Sequence, residues 1–250
     1  MTTKSTTDWL VPDWPAPSHI RAVSTTRNGG VSEGHWFGLN LATHVGDDPQ
    51  HVTANRQFLQ DKLGLKNPPQ WLTQVHGKHV CDVPHGGECQ ADAATSTTAG
   101  EACVVMTADC LPVLFTDAAG TRVAAAHAGW RGLAGGVLEA SLDAFDDPSK
   151  VLAWLGPAIG PESFEVGGEV REAFISQDAQ AHSAFVQNRP GHWLADIYAL
   201  ARLRLSAAGV ENIFGGGLCT YSDAERFYSF RREPITGRMA SLIWIQADRG

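Results

Sequence analysis

The chain is poor in cysteine, in positive charge and in long apolar runs, and each shortage excludes something. Its five cysteines, Cys81, Cys89, Cys103, Cys110 and Cys219, contain no C-x-x-C pair, so neither a zinc ribbon nor a disulfide framework is indicated. Such sparse cysteines fit a reducing compartment, and Cys81, Cys89 and Cys103 read as core or surface thiols. With 19 Lys and Arg against 27 Asp and Glu, the formal net charge of -8 supplies no basic face for nucleic acid. No uninterrupted apolar run approaches the roughly 20 residues a membrane span needs. Residues Met1 to Asp13 lack the apolar core of a signal peptide. The expectation is a cytoplasmic protein with a small-molecule partner and neither nucleic acid nor membrane. None of its ten histidines forms an H-x-H pair, which argues against the four-copper chemistry of cupredoxin oxidases. The H-x-E and P-C-x-x-C signature of zinc deaminases is also missing.

What is present is material for one sizeable core. Hydrophobic residues make up 43% of the 250, with eight Trp and ten Phe among them. No repeat, low-complexity tract or linker divides the chain, so a single mixed domain over residues 19–250 is expected, after a flexible lead-in over residues 1–18. His19 to Thr25 reads as a strand ending in the turn Thr26-Arg27-Asn28-Gly29-Gly30, and Gly38 to Asp48 as an irregular loop. Asp48-Pro49 caps a helix that Gly64 ends. Strands are expected at Gln70 to Val75, up to Val83, Val151 to Leu155, near Ile213, in the aromatic run from Phe227, and at Ala240 to Ile245. Further helices are expected at Leu133 to Phe145, around Val170 to Ile175, and from the Asp196 cap to Ala208.

The chemistry concentrates between Val104 and Gly136. Two apolar runs, Leu111 to Thr116 and Arg122 to Ala126, flank Asp117-Ala-Ala-Gly120, a sequence suited to a hairpin reversal. If Asp117 faces Gly120, counting outward sets Cys110 opposite His127, with Cβ atoms about 4.5–5.5 Å apart. The pairing depends on register, and Pro112 cannot donate to the ladder. Asp109 and Cys110 interrupt an apolar run, and the glycine-rich segment after His127 offers free backbone N–H groups to an anion. Read singly, Cys110 is also an ordinary buried small hydrophobe. Together with His76, at a strand end beside Gly77, Cys110 and His127 make the His₂Cys set of an open, catalytic zinc site. Zinc there would lower the pKa of a water to about 7. The same set also suits copper, and without metal Cys110 could act as a nucleophile with His127 as its base.

The stretches 26–32, 38–49, 71–77, 107–114, 125–132, 155–170 and 227–245, above all TADCLP followed by AAHAGWRGL, resemble the YfiH/YlmD-like proteins, the family long labelled laccase-domain or polyphenol oxidases. The resemblance covers nearly the whole chain after Ser18. It implies an α+β fold, a single compact domain of mixed β-sheets covered by α-helices in αββα-like layers, with zinc on His76, Cys110 and His127 as metal ligands and catalytic residues. It also implies a purine nucleoside enzyme that takes nucleoside and phosphate: phosphorolysis of adenosine, inosine, guanosine and methylthioadenosine, with deamination of adenosine. Arg27, Asn40, Gln74 and Arg131 fall within the family's motifs and are expected to bind substrate. A copper-dependent polyphenol oxidase and a factor editing peptidoglycan precursors stay open as alternatives.

Overall fold

The central strands carry apolar residues on both faces, and the architecture follows from the need to cover both. The structure, a computed structural model, describes residues 8–247. In chain order the elements begin with β1 (Ile20–Ser24), α1 (Pro49–Leu63), β2 (Val80–Asp82), β3 (Ala93–Ser96), β4 (Ala102–Thr107), β5 (Leu111–Asp117) and β6 (Val123–Ala128). There follow α2 (Trp130–Gly135), α3 (Val137–Leu142), β7 (Val151–Leu155), β8 (Glu165–Gly167) and α4 (Gly168–Ile175). The chain closes with β9 (Phe185–Arg189), β10 (His192–Ala195), α5 (Ile197–Ala207), β11 (Asn212–Gly215) and β12 (Met239–Ile245). A six-stranded mixed sheet has the order β11-β7-β5-β6-β3-β2, a three-stranded sheet the order β1-β12-β4, and a small sheet the order β8-β10-β9.

Alternation along each strand sorts the side chains between layers. On β5, Leu111, Val113 and Phe115 pack with Leu133, Leu138 and Leu205 of the helices, whereas Leu114 points the other way, toward Val105 and Ile243 of the three-stranded sheet. On β12, Leu242 and Trp244 face α1 and its Leu59, while Ile243 and Ile245 face the large sheet. The layers are therefore helices, sheet, sheet, helix, a single compact domain as the family resemblance implies. Leu114 is fully buried between the sheets, so Leu114→Ala is expected to cost about 2–5 kcal/mol in denaturant unfolding. A loss well under 1 kcal/mol would contradict the packing described. No helix among the described residues is long and apolar enough to cross a membrane.

The caps fall where expected. The Asp48 carboxylate accepts from Gln50 N and Gly64 ends α1 in the left-handed region, while Asp196 accepts from Ala199 N to start α5. Several other expectations are corrected. The helix expected over 133–145 is two, α2 and α3, because Gly136 at φ 95 breaks the path. Gln70 to Val75 makes only isolated bridges, Gln70 to Cys103 and Leu72 to Cys89. The aromatic run from Phe227 is no strand: Phe227 and Tyr228 are fully buried anchors, and the Tyr228 hydroxyl donates to the carbonyls of Trp36 and Phe37. Cys81 and Cys89, expected as free thiols, are joined as a disulfide. Of the lead-in, residues 1–7 lie outside the described residues. Residues 8–18 are tied down, since Leu10 and Ser24 exchange both backbone hydrogen bonds and Trp14 packs on the core.

The hairpin register is also corrected. Thr116 pairs with Val123 and Pro112 with His127, a shift of two residues that leaves Cys110 just before β5 begins. The cause is the Asp117 carboxylate, which accepts from Thr121 N, Thr121 Oγ1 and Arg122 N and so extends the reversal to Arg122. A two-residue shift preserves which face each side chain takes. His127 therefore shares the inner face with Val123 and Ala125, at the end of β6.

Candidate metal centre

Three chain segments meet at the end of β6, and two buried carboxylates hold them there. Asp92, fully buried just before β3, accepts from His76 N at 2.8 Å, Gly77 N at 2.6 Å and Val75 N at 3.2 Å. Its Oδ1 also takes the Nδ1–H of His127 at 2.9 Å, which leaves the opposite ring nitrogen, Nε2, for the site. Asp109 accepts from Thr220 Oγ1 at 2.6 Å and from Arg231 N at 2.7 Å. His76 and Asp109 are the positive-φ residues other than glycine among those described, at 60° and 91°. Such backbones cost of order 1–3 kcal/mol each and persist only when surroundings fix them. Here the hydrogen bonds around both carboxylates do so.

The left-handed turn at Asp109 carries Cys110 round to the histidines despite the shifted register. The Cys110 sulfur lies 3.9 Å from His76 Nε2, and the His76 and His127 rings meet edge to face with centroids 4.8 Å apart. One donor atom from each of the three residues lies within 4.8 Å of the others. Ligands at roughly 2.3 Å for sulfur and 2.0 Å for nitrogen around a tetrahedral ion sit about 3.5 Å apart, so the set fits a metal with little movement. Burial alone would push the Cys110 thiol up, but His127 and His76 outweigh it and bring it down to about 6. Burial would likewise lower His127, yet the Cys110 sulfur and the Asp92 carboxylate raise it to about 9. For Asp92, burial acts upward and loses to the bonds from His127, Gly77 and Val75, which hold its carboxyl below the usual range. The sulfur thus favours its anionic form, paired with a protonated His127 whose Nε2 proton a metal would displace.

Gly129 has no room to be anything else. A Cβ there would lie 2.9 Å from the His76 ring and 3.0 Å from the Cys110 sulfur. Gly129→Ala is expected to force the donors apart and weaken metal binding without unfolding the chain, as isothermal titration beside circular dichroism would show. Unchanged affinity would contradict the close approach.

The donors open on a cavity of about 340 Å³. Trp130, Ile159, Phe164 and Phe230 supply apolar wall, and Arg131, Arg231, Arg238 and His44 supply charge and hydrogen bonds. None of those three guanidinium groups has a carboxylate within ion-pair distance among the described residues. Arg238 is held by its bonds to the Thr236 and Gly237 carbonyls, and burial lowers its pKa. Burial, Arg238 and Arg56 together lower that of His44.

Of the residues expected to bind substrate, Gln74 and Arg131 line this cavity. The Gln74 amide is engaged with the backbone, donating to Met106 O at 2.9 Å and accepting from Met106 N at 2.7 Å, so it fastens the His76 segment to β4. Arg27 and Asn40 do not line the cavity. Arg27 donates to the Ala224 carbonyl and stacks on Tyr228. Asn40, fully buried, bonds Asp47 and the backbone of Ala42 and Arg238, so its role in the structure is to brace the loop before α1. Reading the sequence misses Asp92, whose only signal is a carboxylate set in the small-residue run Ala91 to Ala94, and misses Arg238, Phe164 and His44.

An α+β domain of two stacked sheets, with a His₂Cys cluster opening on an arginine-rimmed cavity, defines a metal-competent small-molecule protein. Residues 21–246 match the family described as multi-copper polyphenol oxidoreductase laccase, and the chain belongs to that family. A relative from Pseudomonas aeruginosa, named a purine nucleoside phosphorylase, is 57% identical over 240 residues, covering 95% of this chain and 98% of the relative. Another, the purine nucleoside phosphorylase YfiH of Escherichia coli, is 56% identical over 94% of this chain and 98% of its own. Among solved structures, a Neisseria meningitidis protein superposes with TM-score 0.93 at 50% identity, over 96% of this chain and 99% of that one. YlmD from Geobacillus stearothermophilus gives 0.86 at 29% identity, over 98% of both chains.

Proposed function

We propose that this chain is a purine nucleoside phosphorylase that splits adenosine, inosine, guanosine and methylthioadenosine with phosphate, deaminates adenosine, and holds zinc on His76, Cys110 and His127. One observation carries the reading: the donor set shares its cavity with three arginines that have no carboxylate partner among the described residues, in a chain of net charge -8. That arrangement suits an anionic co-substrate beside a planar apolar one, and it agrees with the names of the relatives from Pseudomonas aeruginosa and Escherichia coli.

The residues divide the work by chemistry. Trp130, Phe164 and Phe230 bound the space for a purine ring and exclude water from it. Arg131, Arg231 and Arg238 receive phosphate oxygens, the kind of contact guanidinium makes through paired N–H groups. In phosphorolysis a phosphate oxygen bonds to C1′, the glycosidic bond to the purine breaks, and the base leaves with a proton as the sugar 1-phosphate forms, ribose-1-phosphate from adenosine, inosine or guanosine. In deamination water replaces the C6 amine of adenosine, giving inosine and ammonia. When bound, the metal would supply Lewis acidity and an activated water. Asp92 fixes the His127 ring with Nε2 toward the site throughout.

A steady-state test with both substrates varied separates this from a general polar pocket. Losing one charge-assisted bond of about 1.5–3 kcal/mol, Arg238→Ala is expected to raise the KM for phosphate roughly ten- to a hundredfold and that for inosine far less. Arg27→Ala, outside the cavity, is expected to leave both constants near wild type. Equal effects of Arg238→Ala on both substrates would contradict the assignment.

The family description favours an oxidase, and the His₂Cys set also suits copper. A multi-copper enzyme needs several metal-ligand clusters. Among the described residues the one other group of this kind is Cys81, His85 and Cys89, with a single histidine.

A further inference from the structure

We propose that Cys81, His85 and Cys89 form a second metal site, for a thiophilic cation of the Zn²⁺ class, which opens when the Cys81–Cys89 disulfide is reduced and closes when it forms. The donors occupy a C-x₃-H-x₃-C segment, and one ligand atom from each lies within 4.8 Å of the others. Both sulfurs are buried and the imidazole is exposed, so the site has a protein side and a solvent side. Two thiolates and an imidazole are soft donors that select zinc or monovalent copper over magnesium or calcium. The fourth, outward position is available to water.

The local structure permits both states. Cys81 is the middle residue of β2, paired with Ala94 of β3, and Cys89 is bridged to Leu72, with its carbonyl accepting from Thr73 N at 2.9 Å. The backbone therefore fixes the two Cα atoms, 6.5 Å apart, in either state. Tetrahedral zinc holds two sulfurs about 3.8 Å from each other, a separation that rotation about the Cα–Cβ bonds supplies. His85 rides on Pro84 to Gly87, where a Cβ on Gly86 or Gly87 would meet nothing within 4 Å. Its Nδ1 makes only a 3.5 Å contact with Gly87 O, so the ring is free to turn toward the sulfurs. Opening the site takes two electrons. A dithiol reductant passes into its own disulfide as the Cys81–Cys89 bond becomes two thiols, and the cation then displaces their two protons.

The test measures zinc equivalents on the full chain, oxidised and after reduction by a phosphine that is then removed, with a chromophoric chelator as competitor. Reduced wild type is expected to bind one zinc more than oxidised wild type. Cys81→Ser/Cys89→Ser is expected to lose that extra equivalent alone, and His85→Ala to weaken it. Mass spectrometry after alkylation supplies a second readout that needs no variant: zinc is expected to protect Cys81 and Cys89 together. Equal zinc content in both redox states, an extra equivalent that survives the double serine change, or labelling of the pair that zinc does not slow would each overturn the proposal.

Discussion

Cys110→Ala is expected to strip the metal from the purified protein and to lower phosphorolysis and deamination together, by roughly 10²–10⁴-fold. The sulfur is the one anionic donor of the three, so its loss leaves two neutral imidazoles that hold a divalent cation weakly. The fold should survive, because Cys110 lies outside β5 and outside the clusters that join the layers. Metal content by plasma emission and unfolding midpoints measured on one preparation make the check. An alanine variant that keeps stoichiometric zinc would show the ligand assignment to be wrong. Cooperative unfolding on chelation of wild type would show instead that the metal carries the fold, against the expectation from a core of this size.

Asp92→Asn is expected to have the next largest effect, and to act through the metal centre rather than on substrate. An amide has one acceptor oxygen where the carboxylate serves three backbone N–H groups and the His127 ring. Its NH₂ would face N–H donors, leaving buried groups unsatisfied at about 1–3 kcal/mol each. Partners behind a ligating histidine typically cost 10–100-fold in metal affinity when changed. The cobalt form reports this directly, because its visible spectrum follows ligand geometry. A shifted spectrum with weakened affinity is the expected result. A spectrum and affinity equal to wild type, in a variant that is merely less stable, would reduce Asp92 to a structural role.

The parts of this fold legible in sequence are those governed by local chemistry. Asp48, Pro49 and Gly64 delimit α1, and Asp196 starts α5, because caps are satisfied within a few residues. Doubly covered strands such as β5 and β12 read as continuous apolar runs. What local pattern hides is set by distant partners. Phe227 and Tyr228 look like strand residues, but their partners are the loop around Trp36 and Met239 of β12. The reversal after β5 is decided by how many donors the Asp117 carboxylate gathers, which composition does not reveal. Cys110 and His127 come together all the same, through a left-handed turn at Asp109 that sequence gives no reason to expect. Arg27 and Asn40 lie within motifs of the family, yet in the structure they brace loops, while Asp92 organises the centre from inside an unremarkable run of alanines.

Product analysis of zinc-loaded, copper-free protein incubated with adenosine, with and without phosphate, under an oxygen electrode separates nucleoside chemistry from oxidation. Inosine is expected in both cases and, with phosphate, free base and ribose-1-phosphate in equal amounts, with no oxygen consumed. Zinc protein inert toward nucleosides, beside a copper form that oxidises phenols with matching oxygen uptake, would contradict the proposed function.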